Sequence, residues 1–529
     1  MKKTICLLFI LTFLISCVSI KKHNKKISSL HSVESLRLDV DKAYHQLKKH
    51  HPNINLYISK ERLDFKFDSL KTSITKPLTS YQFYAKITPV TSSIRQGHIS
   101  VFSPKKKFTK KEKKALKKTK PPLSKFDTEF LENKLLIIKV RSKDGFLLDS
   151  EIFKVEDENV SDLIEKYKTQ IASDGYNTTW FNRIIGTNFF SFYFRDKYHL
   201  DSLQVSFKKN DSIFNRVFKR PIKEEIKNDS LIIDSTKTKE KVALTKIQRK
   251  ENKQKTKLTK EHNKVYGYVK SRNEYTRNIQ FIGKDSTTAY MKIRSFMGGR
   301  YKTFYEEAFK KIDSSETNNL IIDLRNNSGG SLAEIAELYA YLVDESFQFI
   351  QPGEVNNRVP ILKISMSNTE SIGSKIFVGA ISPFIATHNI IKTKKENGKL
   401  YYKFKQSKFA EPKTNNFKGD VYVLINGSSF SASSILSNQL QANNRAVFVG
   451  EETGGAYNST VAGVFKTYEL PETKLKINIG LMQLETGNIQ DPAGFGVKPD
   501  HNIIPTIKDR KQKNDPELKW ILNVIEDGK

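Results

Sequence analysis

Two segments in the C-terminal half share one arrangement, and together they constrain the fold more than anything else in the chain. Residues 318–343 read "NNLIIDLR", "NNSGG", "SLAEIAELYAYLV", and residues 419–441 read "GDVYVLI", "NGSSF", "SASSILSNQLQ". Each is an apolar run, a short polar loop and an amphipathic helix. Strands that are apolar at nearly every position are covered on both faces. The two units therefore predict a layered α/β core whose working loops lie at the strand exits.

A helix that starts just after a tight loop points its free amides and positive dipole end out of the strand exit, where they can receive an oxyanion. Gly329 and Gly330 allow close backbone approach. In the second unit Ser431 sits at the opening of the helix, with the amide of Ala432 directly behind it. Serines at a helix start are most often caps. Ser428, Ser429, Ser433 and Ser434 have that reading available, and the spacing by itself does not separate a nucleophile from a cap.

At 529 residues the chain is long enough for several domains. Its first stretch, "MKKTICLLFILTFLISC", has a charged start, an apolar run too short to span a bilayer and a small residue before Cys17, the layout of an export signal. "LISC" resembles a bacterial lipobox, which implies that Cys17 is acylated as the first mature residue. Cys6 then leaves with the signal, and the mature chain has no free thiol for disulfides, thiol catalysis or cysteine metal sites.

The 90 Lys+Arg against 57 Asp+Glu give a net charge of +33, a balance that would suggest nucleic acid in a cytosolic protein. Export argues against it, and no nucleic-acid-binding signature is present. Much of the excess lies in runs that read as solvated tethers and linkers. Lys21, Lys22, Lys25 and Lys26 are placed to hold an anchored chain against anionic headgroups.

Hydrophobic patterning divides the chain into a signal at 1–17, a basic tether at 18–30, a helical N-terminal domain at 31–103 and a basic linker at 104–122. A β-rich domain follows at 123–234, with "KLLIIKVRS", "LDSEIFKVEDENV", "SFYFRD" and "DSLQVSFKK" as strands around the helix "VSDLIEKYKTQI". Next come a basic, disordered linker at 235–262 and the α/β core at 263–529.

"NNLIIDLRNNSGG" and "GDVYVLINGSSFSASSILSNQLQANNRAVFVGEETGG" resemble the two signature segments of family 41 serine peptidases, the C-terminal-processing proteases and the tricorn core protease among them. The family pattern Ser-Ala-Ser-Ala-Ser-Glu places Ser429, Ser431 and Ser433 at its three serine positions. "GFGVKPDHNIIPT" at 494–506 resembles its closing segment. The resemblance, strong over about 280–510, implies a ClpP/crotonase-like ββα core, a PDZ-like module in the middle region, and Ser431 as the nucleophile. Gly329, Gly330 and Ala432 then line the oxyanion hole.

Two family residues are missing. The lysine base of the processing proteases aligns with Ala456. The tricorn-like branch uses an earlier histidine, and "SSIRQGHISVF" is similar to its Gly-His-Thr/Ser stretch, which implies His98 as general base over His50, His199 or His388. That branch's glutamate aligns with Ala493, leaving Asp491 as the nearest carboxylate to orient the imidazole and Glu485 as second choice. Glu451 and Glu452 read as structural.

The expectation is thus a lipid-anchored, periplasm-facing serine endopeptidase acting on envelope proteins or peptides without metal, cofactor or nucleic acid. The rivals are a non-catalytic binding protein on the same fold, as in the family's retinoid-binding branch, and a charged structural protein of the envelope.

Overall fold

The structure, a computed structural model, describes residues 20–528 except 143, 198–199, 221–245, 285–286, 316 and 369–371. Residues 1–19 lie outside it, so the expected signal, Cys6 and Cys17 fall beyond the described residues.

After a helical stretch at residues 20–28 come three helices: α1 (Val33–His50), α2 (Lys60–Thr72) and α3 (Ser80–Ser92). Each opens on a hydroxyl cap, Ser32, Ser59 and Thr79, that accepts an orphan amide of the first turn. The chain then enters strand β1 (Ser100–Phe102) and the short helix α4 (Lys110–Leu116).

The middle module holds β2 (Phe126–Leu131), β3 (Lys134–Val140), β4 (Glu151–Val155), α5 (Val160–Lys168), α6 (Thr179–Asp196), β5 (Ser202–Lys209) and β6 (Ser212–Lys219). Its strands run in spatial order β2-β3-β4-β5-β6, all antiparallel. They share a separate core with α5 and α6, built on Tyr167, Phe189, Phe207 and their neighbours.

Helix α7 (Lys246–Val265) leads into the α/β core, made of β7 (Arg277–Ile282), β8 (Thr288–Ile293), α8 (Tyr301–Ser314), β9 (Asn319–Asp323) and α9 (Leu332–Ala340). Next come β10 (Gly353–Val355), α10 (Pro360–Ser367), α11 (Ile372–Lys392), β11 (Thr393–Glu396) and β12 (Lys399–Tyr402). The chain closes with β13 (Asp420–Ile425), α12 (Ala432–Ala442), β14 (Val447–Gly450), β15 (Ser459–Glu469), β16 (Lys476–Glu485), β17 (His501–Asn502), α13 (Ile507–Gln512) and α14 (Pro516–Asp527).

The central sheet has the order β7-β8-β9-β13-β14-β17, with every pair after the first parallel. Both faces are covered, as the apolar strands require. One face joins the main core, and the other packs Tyr290, Ile321, Tyr422, Leu424 and Val449 against Ile521 and Ile525 of α14. In a second sheet β1, β10 and β15 pair with the long strand β16.

The front helices are not a domain apart. Leu36, Val40, Ala43 and Leu47 of α1 belong to the same apolar cluster as Ile477 and Ile479 of β16. Strand β1 pairs Ser100 with Asn478, which locks the segment carrying His98 to the back of the chain.

Four local readings are revised. Residues 20–28, expected as a tether, are helical, with Ile27 buried and Lys26 Nζ donating to the Pro471 carbonyl at 3.1 Å. The linker at 104–122 contains α4, started by the Thr109–Glu112 capping box. The stretch at 235–262, expected to be disordered, is helical from Lys246. It has no Gly or Pro there, and its far end docks through Tyr266, whose ring meets Phe304 of α8 edge-on at 5.3 Å. "SFYFRD" lies in α6, because burial of Phe189, Phe192 and Tyr193 on one face outweighs the β preference of its aromatics.

Candidate active site

Strands β9 and β13 are parallel neighbours in register, Asp323 opposite Leu424, so the loops after them leave the sheet side by side. Side-chain amides tie the two together: Asn426 Nδ2 donates to Asn326 Oδ1 at 3.1 Å, and the Asn326 amide donates to Asn426 Oδ1 at 3.0 Å. The clustered serines fasten the same loops. Ser429 Oγ donates to the Leu324 carbonyl and Ser433 Oγ to the Asn327 carbonyl, both at 2.8 Å, while Ser434 Oγ donates to the Ser429 carbonyl at 3.1 Å.

Ser431 is different. It is the first residue before α12, with φ +57° and ψ −117° and no capping bond from its side chain. A non-glycine residue in that region is strained and is held there by its surroundings. Strand, tight turn and helix around a strained serine lift its Oγ clear of the backbone, the geometry of a nucleophile elbow.

His98 Nε2 lies 3.1 Å from Ser431 Oγ, across 333 positions of sequence. The imidazole packs between Phe430, centroid 4.9 Å away, and Phe465 at 5.5 Å. Burial pushes its pKa down to about 4, so the ring is neutral near pH 7. Of the other histidines weighed, His50 meets Lys466 Nζ at 3.0 Å, His388 lies in α11, and His199 is outside the described residues.

The third partner differs from the expectation. Asp491 is exposed, and the group on the imidazole's other nitrogen is Thr460, whose Oγ1 lies 3.1 Å from Nδ1. Glu485, the second choice, is also exposed and contacts Gln483. Thr460 in turn donates to Asp174 Oδ2 at 3.0 Å, and Asp174 Oδ1 accepts the Gly97 amide at 2.7 Å. Asp174 is 1% exposed and comes from the connection between α5 and α6. Burial, the largest influence, raises its pKa to about 6 against the hydrogen bonds that favour its charge, including one from the Ala456 backbone.

Sequence reasoning missed Thr460 and Asp174. Asp174 stands in "SDGY", where an Asp-Gly pair reads as a turn, and Thr460 stands in a strand that favours threonine. Neither offers a local signal.

Of the expected oxyanion donors, Gly330 (φ +148°) and Ala432 have amides that meet no protein acceptor among the described residues' bonds. Gly329 is corrected: its amide is committed to Asn327 Oδ1 at 2.9 Å. Its contribution is space, since a Cβ there would fall 2.8 Å from the Ala432 nitrogen. Glu451 and Glu452 brace this surface. Glu451 Oε2 accepts the Gly427 amide at 3.0 Å and Arg183 at 2.8 Å, and Glu452 Oε1 accepts the Gly496 amide at 2.6 Å.

A strained serine on an elbow, a neutral imidazole on its Oγ and free amides beside it define a serine-type hydrolase site. Residues 287–503 match the model of peptidase family S41, a match that covers the core carrying Ser431 and supports a hydrolase of peptide bonds. No curated protein matches the sequence. Among solved structures the chain resembles mature CPAF, with a TM-score of 0.58 and 13% identity over 93% of this chain and 96% of that one. Mature CPAF complexed with lactacystin is similar at TM-score 0.57 and 12% identity, over 93% and 98%. At such identity the likeness establishes the fold. His98 and Asp174 both precede the span matched by the family model.

Proposed function

We propose that the protein is a serine endopeptidase of the bacterial cell envelope in which Ser431 is the nucleophile and His98 the general base. The single observation that carries this is the 3.1 Å contact between His98 Nε2 and Ser431 Oγ. A neutral imidazole accepts the hydroxyl proton as Oγ attacks the scissile carbonyl, then returns it to the leaving amine as the acyl-enzyme forms. Water repeats the sequence in reverse roles. The amides of Gly330 and Ala432 receive the charge on the carbonyl oxygen, each such donor being worth about a hundredfold or more in rate.

The export-like leader and "LISC" support a lipid anchor at Cys17, and the absence of acidic residues in "VSIKKHNKK" supports a periplasm-facing orientation. Envelope proteins or peptides are then the substrates within reach.

The test is a fluorophosphonate probe together with a panel of quenched peptides. Labelling and cleavage that disappear in Ser431→Ala and in His98→Ala support the assignment. A folded wild-type protein that neither labels nor cleaves is instead a binding protein on a peptidase scaffold.

A further inference from the structure

We propose that Asp174, acting through the Thr460 hydroxyl, is the positioning group that sets the tautomer of His98, so that the middle module completes a site whose nucleophile belongs to the core. This rests on the proposed roles of Ser431 and His98.

The hydrogen count requires it. An ionised carboxylate only accepts, and threonine has one hydroxyl proton. Asp174 Oδ2 receives that proton from Thr460. The Thr460 oxygen can then only accept from His98 Nδ1, 3.1 Å away, so the ring proton sits on Nδ1. Nε2 is left with a free lone pair facing Ser431, the form a general base needs. A threonine bonded to no carboxylate could donate to Nδ1, and the ring would then carry its proton on Nε2, towards the nucleophile.

The surroundings leave this job to Asp174. The ring's aromatic neighbours are Phe430 and Phe465, and burial is the cause of its lowered pKa. Around the carboxylate stand the Gly97 amide, the Thr460 hydroxyl and the Ala456 backbone, and no cation pairs with it among the described residues. Its titratable neighbour is Tyr57, whose phenol is held protonated first by burial and then by the Asp174 charge. With no cation to offset it, a buried carboxylate is costly, and two of its hydrogen bonds lead to the histidine segment through Gly97 and to the histidine itself through Thr460. The segment that carries it is held to the core at several points. The Gly175 amide donates to the Arg95 carbonyl at 2.9 Å, Tyr176 to the Gly494 carbonyl at 2.7 Å, and Trp180 stacks on Phe430 at 4.3 Å.

Protonation reverses the relay. Oδ1 is occupied by the Gly97 amide, so a proton added to Asp174 goes to Oδ2, which then donates to Thr460. Thr460 then turns its hydroxyl to donate to Nδ1; the ring releases its Nδ1 proton to solvent and takes one up on Nε2, so the lone pair moves from Nε2 to Nδ1. The Asp174 pKa near 6 and the His98 pKa near 4 leave a pH window in which the ring is neutral yet wrongly protonated.

Nitrogen-15 spectra of histidine-labelled full-length protein read the tautomer directly, with the His98 signals assigned by their loss in His98→Gln. The expected result at pH 7.5 is a protonated Nδ1 and a lone pair on Nε2, inverting between pH 6 and 4.5. Asp174→Asn must turn its amide oxygen to Gly97 and its NH2 to Thr460, so its His98 should show the inverted tautomer at every pH. Its kcat should fall about a hundredfold with KM nearly unchanged. Thr460→Val should lose the tautomer preference, and Thr460→Ser should restore both tautomer and rate. A wild-type ring protonated on Nε2 at pH 7.5, or an Asp174→Asn protein with wild-type tautomer and kcat, overturns the proposal. A wild-type protein with the expected tautomer but no hydrolysis of any peptide leaves the relay standing and defeats the peptidase assignment instead.

Discussion

Gly329 backs directly onto Ser431: a Cβ built at 329 would lie 2.9 Å from Ser431 Cβ, and Gly329 itself holds φ +98°. The loop of one strand thus forms the floor beneath the residue presented by the other. Gly329→Ala adds both strain and a clash with backbone. Its kcat should fall at least about a hundredfold, as when an oxyanion donor is displaced, while circular dichroism still reports a folded chain. Peptide turnover and a thermal melt measure the two effects.

Ser431 pays a conformational cost for its position, with φ +57° on a residue that has a Cβ. Such strain is on the order of 1–3 kcal/mol, and glycine relieves it against an entropy cost of roughly 0.5–1 kcal/mol. Ser431→Gly should therefore melt at or above the wild-type temperature while losing all turnover and all fluorophosphonate labelling. A lower melting temperature would argue against strain at this residue.

The neighbouring serines should separate from Ser431 by phenotype. Ser429 Oγ serves the Leu324 carbonyl and receives the Asn426 amide. Ser429→Ala leaves the buried Asn426 amide unpaired, at about 1–3 kcal/mol, while the Leu324 carbonyl keeps the Asn327 amide at 3.1 Å. Urea unfolding should show that loss, and probe labelling of Ser431 should survive.

Stability should respond to Asp174 with a defined sign. Its folded pKa, about 6, is above the usual carboxylate value. The folded state therefore holds this proton to higher pH than the unfolded chain does. The resulting contribution to stability is present at low pH and is lost as pH rises through about 6. Asn at 174 carries no charge to desolvate. Relative to wild type, Asp174→Asn should gain on the order of 1 kcal/mol as pH is raised from 4 to 8. Denaturant midpoints across that range measure it, and a variant that loses relative stability as pH rises contradicts the assignment.

Arg183 joins the middle module to the core. It is 6% exposed and bridges Glu129 of β2 at 2.7 Å and Glu451 at 2.8 Å. Glu451 in turn holds the Gly427 amide. Arg183→Met leaves Glu451 without its cation in a poorly hydrated interface, while Glu129 keeps Arg510 at 2.9 Å, so the loss should lie at the low end of about 3–5 kcal/mol. Limited proteolysis should show release of the module before the core unfolds, and turnover should fall with it because Asp174 leaves too.

What could be read from the chain followed how local each feature is. Ser431 and the Gly329–Gly330 loop stand out because an apolar run, a polar loop and an amphipathic helix are all set by neighbours within a few residues. His98 emerged only through likeness of "SSIRQGHISVF" to a known segment, since a lone histidine in a polar stretch carries no local mark. Asp491 was chosen by proximity along the sequence to the missing glutamate's position, and proximity in sequence is not proximity to the ring. "SFYFRD" was misread because a run of aromatics suits a strand as well as the buried face of α6.

The amino-acid order by itself determined the two strand-loop-helix units, since backbone propensity and hydrophobic period act over short windows. It thereby marked the hydroxyl and the glycines that the site would use. Only the tertiary structure decided what stands on each nitrogen of His98. Hydrogen bonds of about 3 Å between residues hundreds of positions apart depend on how helices, strands and modules pack, and no local pattern encodes that packing.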